Sequence, residues 1–389
     1  VPLPGENSKY YVFNTHAFQE RLANGLRYSM VDMCGDNGYG EVIPSSKNTL
    51  LLEEAGEKLA VTRHINGTDY WLISHVHFSN AFYVYLITEN GISGPIISEI
   101  GTIHGNRNAP DDTGYQDAIG QMKISPNGHK VALVMENRAP DVIDLFDFDN
   151  STGRLSNFVD LSDGSHSQGI YGVSFSPNNL NLYVSGRAGI FQFRLNAGSG
   201  SRLDIIQSKY KIANQRTAGG LQLGPDGKIY VSRFDYAGVI ENPDLPGAAC
   251  NFKDNAIYFE GNINTYAFPT FLDNFDYPDK GSIPLEVNII DSYSLCSDEM
   301  VRLDATSTGE DVKYLWPDGS SQAFYYVNLP GNYSVKIQDR FCTVEKTITV
   351  SSPPSNTLGP DKKACEGDTV VLSGNAAGTS YSWSNGSTD

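Results

Sequence analysis

Three histidines, His64, His75 and His77, crowd around Trp71 at strand ends, with Arg63 adjacent and His104 further on. Imidazoles grouped this way can ligate a metal or move protons near neutral pH. They are also common as hydrogen-bonded packing residues, and that plainer reading is preferred. His64 and His75 remain the candidate catalytic pair. A second group, Asp147, Asp149 and Asn150 with Asp144 nearby, offers oxygen ligands of the kind calcium takes. It lacks the spacing and closing Glu of an EF-hand, and 149–153 also suits a hairpin turn capped by Asx side chains. Calcium is therefore a weak expectation, and no other cofactor is expected. Asp111–Gly114 contains the Asp-Thr-Gly of aspartic proteases, but no second copy follows, so it reads as a polar loop. No nucleophile elbow, phosphate loop or dinucleotide fingerprint is present. Tyr10, Tyr39, Tyr115, Tyr171 and Tyr236 could stack on sugar rings, although tyrosine is also a frequent strand residue.

The elements that must position these residues are strands. A pattern of strand, Pro-Asn or Pro-Asp turn, and strand occurs at 122–134, 173–184 and 221–231. Its prolines, Pro126, Pro177 and Pro225, are 51 and then 48 residues apart. Self-similarity at this spacing with strands alone points to a β-propeller. Residues 10 to about 280 read as consecutive meanders, with units near 58–100, 120–161, 170–210 and 217–260 and a partial one before them. Closed propellers have about 4 to 8 blades. Seven is the preferred number, with further blades expected upstream of Val1; closure with five or six is the alternative. Helical periodicity is confined mainly to 19–23.

Composition changes near residue 280. Cys296–Ala305 aligns without gaps on Cys365–Gly374, and 314–321 on 381–388, a period of 69 residues. A Cys, a Trp about 20 residues later and Cys342 fit a small immunoglobulin- or PKD-like β-sandwich, in which Trp packs near a bridge between sheets. Cys296–Cys342 is the expected disulfide, with Cys34–Cys250 as a weaker pairing and Cys365 left over. The expected domains are a propeller at 1–280, a sandwich at 284–352 and the start of a second sandwich at 356–389.

The chain has 389 residues, 40% of them apolar, with 38 Gly, 19 Pro, 22 Tyr, 18 Phe and a net charge of −17. That charge argues against nucleic acid and anionic membrane surfaces as partners, and no stretch approaches the roughly 20 apolar residues of a membrane span. No C-x-x-C pair suggests a structural zinc site.

Taken together, 25–33, 57–64, 67–75, 80–86, 146–155, 171–177, 221–231 and 247–251 resemble exported proteins of Bacteroidota that join a propeller to immunoglobulin- or PKD-like repeats. That resemblance implies export by the type IX secretion system through a gliding-motility-associated sorting domain, and a place outside the cell or on its surface. It implies the secretion machinery, outer-membrane surface proteins, glycans or surfaces as partners. Asp368–Val370 matches the short O-glycosylation pattern of that group. The preferred function is non-enzymatic recognition or adhesion, with the propeller as platform and the sandwich repeats as stalk. The alternatives are a lactonase- or lyase-like propeller enzyme using His64, His75, Arg63 and His104, and a structural subunit of a secretion or motility assembly.

Overall fold

The computed structural model describes residues 1–389 except 110–111, 137–141, 165–168, 215–218, 263–265, 269–271, 273–284, 296–299, 310, 340–341, 353–359, 375–381 and 389. It separates into two compact units, one of Val1–Asp32 with Val42–Lys280, the other of Met33–Glu41 with Gly281–Asp389.

Among its described residues the larger unit is mainly β and holds five four-stranded antiparallel sheets. The first comprises Lys9–Thr15 (β1), Leu26–Asp32 (β2), Glu41–Val42 (β3) and Thr49–Leu52 (β4), with β3 and β4 both pairing with β2. The second is a meander of Ala55–Arg63 (β5), Tyr70–Val76 (β6), Ala81–Thr88 (β7) and Gly91–Glu99 (β8). Met122–Ile124 (β9), Lys130–Met135 (β10), Val142–Asp149 (β11) and Arg154–Asp160 (β12) form the third. The fourth holds Ile170–Phe175 (β13), Asn181–Gly186 (β14), Gly189–Arg194 (β15) and Tyr210–Ala213 (β16). The fifth holds Leu221–Leu223 (β17), Ile229–Arg233 (β18), Tyr236–Ile240 (β19) and Phe252–Tyr258 (β20). The first strands, β1, β5, β9, β13 and β17, lie side by side in chain order. This is the succession expected of propeller blades, and the expected units at 58–100, 120–161, 170–210 and 217–260 coincide with sheets two to five. One helix escaped the sequence reading: Arg202–Gln207 (α1), which Ser201 caps by accepting from the Asp204 N–H. The expected helical stretch at 19–23 is instead a short 3₁₀ turn at Phe18–Glu20.

The repeated Pro-Asn and Pro-Asp turns have one cause. Gly128, Asn179 and Gly227, the third residue of each, take left-handed φ of 73°, 65° and 76°. Only Gly or Asn does so readily. The turns also tie adjacent sheets: Asn127 donates its backbone N–H to the Asn179 side chain at 2.9 Å, and Asn178 to Asp244 at 2.9 Å. At the first strands, the Gln121 carboxamide oxygen accepts from the N–H groups of Val173 and Leu221. One side chain thereby joins sheets three, four and five. Apolar layers fill the gaps between sheets; Trp71, Ile73, Phe82 and Val84 pack on Val131, Leu133 and Phe146.

In the smaller unit, Ser292–Ser294 (β21), Gly331–Gln338 (β25), Thr343–Ser351 (β26) and Lys313–Leu315 (β23) share one sheet. Val301–Asp304 (β22) and Phe324–Val327 (β24) form another. Both sheets contribute to one core around Trp316, with Leu303, Val335, Ile337 and Ile348. The disulfide differs from the expected one. Cys342 is bonded to Cys34, 308 residues away, with Cα atoms 5.3 Å apart. The Cys296–Cys342 pairing is therefore corrected; Cys296 itself lies outside the described residues. Cys34–Cys250 is corrected too, because Cys250 is a buried free thiol. The cause is an excursion of the chain after β2: residues 33–41 belong to the sandwich unit and carry Cys34 into it.

The second repeat shows strand structure at none of its described residues, 360–374 and 382–388. Its turn is nonetheless a copy of the first. Trp316 N–H donates to Ser320 O and Gly319 N–H to Trp316 O, at 3.0 and 2.9 Å. Trp383 repeats both bonds with Ser387 and Gly386 at the same lengths. Among the described residues no helix is long and apolar enough to cross a membrane.

Candidate functional site

The histidines fall in two places. His64 follows β5, lies against Trp71 with ring centroids 5.2 Å apart, and accepts from the Asn66 N–H. His75, at the far end of β6, is 1% exposed and stacks on His104 at 3.6 Å, edge-on to Phe82 at 4.7 Å. The structure does not bring His64 and His75 together. His75 and His104 do meet, and both are buried. Asp147 accepts from Lys130 and Asn157. Asp149 accepts from Ser151 and Thr152, which hold its carboxyl at about 2. The Asn150 side chain donates to Arg63 O. Each is thus taken up in a turn or cross-sheet bond. Among the described residues no group of three or more His, Cys, Asp or Glu side chains is arranged to hold a metal. Asp111 lies outside the described residues, and Gly114 belongs to the 3₁₀ segment Asp112–Ala118. Of the tyrosines, Tyr171 and Tyr115 line cavities; Tyr236 packs on Tyr258 at 5.0 Å, Tyr39 is exposed, and Tyr10 sits in β1.

The residues with the strongest demands are ones the motif search passed over. Lys58, on β5, is 1% exposed, and its ammonium donates to three carbonyls: Asp117 at 2.9 Å, Ala118 at 3.0 Å and Ile119 at 3.0 Å. They lie at and just past the end of the Asp112–Ala118 segment, and the Ile119 carbonyl also accepts from the Glu136 N–H at 3.1 Å. Burial pulls the amine down to about 7, opposed by Glu57, Asp117 and Asp144. Around it, Asp144 accepts from both N–H and hydroxyl of Thr102. Asp117 accepts from the Gly105 N–H, and His77 meets the Gly114 carbonyl at 3.1 Å.

Ile119 also lines a cavity of about 580 Å³, together with His16, Phe18, Glu57, Glu136, Tyr171, Arg187 and Tyr266, among others. Glu57 comes from β5, Tyr171 from β13, Glu136 follows β10, and Arg187 lies in the β14–β15 turn. Glu57 accepts from the Phe18 N–H at 2.7 Å. Glu136, 8% exposed, is raised above the usual carboxyl range by burial and then by Glu57, while Arg187 at 3.7 Å opposes this. Burial, followed by Glu57 and Glu136, pushes the Tyr171 phenol up to about 12. Its ring lies 5.7 Å from that of Tyr266. The Tyr266 carbonyl is held by the Gly220 N–H at 2.6 Å. His16 presents Nε2 to Glu20 at 3.0 Å, and its buried Nδ1 has no hydrogen-bond partner among the described residues. Two carboxylates in unlike environments, a guanidinium, an imidazole and two phenol rings make a cavity suited to a small, hydroxyl-rich ligand.

His75 and His77 predict acid sensitivity. Burial, before any other cause, holds both below the ordinary histidine range, and Lys58 adds to it. The unfolded chain takes up protons near pH 6.5 that the folded one refuses. The histidines' contribution to stability is therefore full above about pH 6.5 and falls as pH drops, by up to about 1.4 kcal/mol per pH unit per histidine. Melting temperatures of the full chain between pH 7.5 and 5 should show the fall. His75→Phe should flatten it; an unchanged slope would discard the assignment.

No family model matches the sequence, and no curated protein does. Solved structures do match. The periplasmic gluconolactonase of Pseudomonas aeruginosa is 11% identical with a TM-score of 0.40, over 89% of this chain and 98% of that one. A gluconolactonase of Xanthomonas campestris is 13% identical at 0.33, over 67% and 79%. The Dos1 propeller is 12% identical at 0.32, over 57% and 51%. These neighbours are propeller-like, and likeness at this level assigns no residue a role.

Proposed function

We propose that residues 1–280 form a β-propeller that recognises a small carbohydrate in the cavity between Glu57, Glu136, Tyr171, Arg187 and Tyr266. The observation that carries the reading is their convergence: phenol rings for the apolar face of a sugar and charged groups for its hydroxyls, in one space of about 580 Å³. The sandwich unit acts as an immunoglobulin- or PKD-like spacer. The protein is exported and works at or beyond the cell surface, with the type IX machinery and outer-membrane surface proteins as its partners. The Cys34–Cys342 disulfide supports an oxidising compartment.

A glycan panel followed by calorimetric titration with the full chain tests this. Tyr171→Ala should weaken binding at least about tenfold, near 1.4 kcal/mol, and Glu136→Gln should alter selectivity among hydroxyl patterns. Absence of any carbohydrate ligand, or wild-type affinity in the double variant, would remove the reading. A second reading is turnover of a sugar lactone or uronate, favoured by the raised Glu136 as acid in a cavity that His16 also lines. Hydrolysis of a lactone panel, lost in Glu136→Gln, would select it over plain recognition.

A further inference from the structure

A second cavity, of about 390 Å³, is lined among others by Arg27, Glu53, His77, Phe78 and Tyr115. It takes in Arg21 and Leu22, just past the Phe18–Glu20 turn, whereas the first cavity takes in Phe18 and Gln19 of the turn itself. We infer that it is a separate binding site for a neutral sugar, a pyranose ring that offers hydroxyls and carries no charge.

Hydrogen bonding comes first. His77 is 1% exposed, and its Nε2 meets the Gly114 carbonyl at 3.1 Å. A carbonyl only accepts, so Nε2 carries the proton. Nδ1 is then a lone-pair acceptor, and it is buried without a hydrogen-bond partner among the described residues. A buried acceptor of this kind calls for a donor, which a sugar hydroxyl supplies.

Charge decides against an ionic ligand. Arg21 has a partner of its own. The remaining arginines, Arg27 and Arg107, match Glu53 and Glu54 in number. Arg107 is clamped two-pronged on Glu54, at 2.9 and 2.8 Å. Arg27 is fixed by donating Nε to Asn24 O and Nη1 to Asn48 O, both at 2.9 Å. Its Nη2 is thereby a held donor, and Glu53 supplies an acceptor of opposite sign. Such a pair binds hydroxyls, which both accept and donate, without selecting either ion.

An aromatic wall completes the site. Tyr115 stacks on His77 at 5.6 Å and stands edge to face with Phe78 at 5.1 Å, and Arg107 lies over the Phe78 ring at 4.7 Å. A wall of this kind takes the C–H face of a pyranose. Phe78 holds a left-handed φ of 59°, which bulky residues rarely adopt and which gathers at ligand sites.

The probes are the methyl glycosides of D-glucose, D-galactose and D-mannose, titrated by ligand-observed NMR against the full chain and its Tyr171→Ala variant, which disables the first cavity. D-glucuronate and D-glucosamine are the charged counterparts. At least one neutral glycoside should bind the Tyr171→Ala protein, with an affinity that salt leaves unchanged. Both charged sugars should bind no more tightly. Tyr115→Ala should weaken the neutral sugar at least about tenfold, near 1.4 kcal/mol, and Glu53→Gln several-fold. Glu53 is exposed, so its variant reports on binding with the melting temperature intact. Wild-type affinity in both Tyr115→Ala and Glu53→Gln overturns the inference, as does a preference for either charged sugar that fades as salt rises. If every glycoside bound by the wild type is lost in Tyr171→Ala, this site falls and the first stands. If Tyr171→Ala changes nothing while Tyr115→Ala abolishes binding, this site stands and the first falls.

Discussion

Lys58→Met should destabilise the larger unit by about 3 kcal/mol or more, the largest effect expected of any single change there. The substitution keeps most of the apolar stem and removes the donors. Two carbonyls, of Asp117 and the buried Ala118, then lose their Lys58 donor, while that of Ile119 keeps only the Glu136 N–H. Each orphaned backbone group costs on the order of 1–3 kcal/mol, less whatever relaxation recovers. The loss should spread to the first cavity, because Ile119 lines it. Urea unfolding of the full chain and sugar binding should therefore weaken together. A variant within about 0.5 kcal/mol of wild type would show that the carbonyls find water instead. The sign on the alkaline side is fixed as well. Lys58 sits at about 7 when folded against 10.5 when free. Between those values the unfolded chain holds more protons, so this group makes stability rise with pH there. Lys58→Met should erase that rise.

Cys342→Ser should cost the smaller unit about 2–5 kcal/mol, as loss of native disulfides commonly does in small domains. Cys34→Ser should match it, and the double variant should be no worse than either, since both remove the same bond. Dithiothreitol should lower the melting transition of the sandwich in the wild type and leave that of the variants alone. Unequal single variants would point to a role for one thiol beyond the bridge.

What could be read from the sequence had a local cause. The Pro-Asn-Gly and Pro-Asp-Gly turns were legible because the third residue needs a left-handed backbone, and that need shows in residue type. Sheets two to five followed from alternation between such turns. The Trp316 turn and its copy at Trp383 were legible for the same reason. The disulfide was not, because Cys34 reaches its partner through an excursion between β2 and β3 that nothing nearby in the sequence announces. Nor was the first cavity: Glu57, Glu136, Arg187 and Tyr266 belong to different sheets and loops and meet only because the first strands line up. Lys58 had left a trace. It shares strand parity with Ala60 and Thr62, both buried, so a lysine stood in a core position of β5. Read strictly, the alternation asked what could satisfy an ammonium there.

The Cys34–Cys342 bond also changes what a protease can do. It closes a covalent ring through all the sequence between them, sheets two to five included. A single cut anywhere inside that ring makes two polypeptides but one molecule. The pieces part on a reducing gel and travel together on a non-reducing one, so a nicked copy keeps its larger unit fastened to its smaller one.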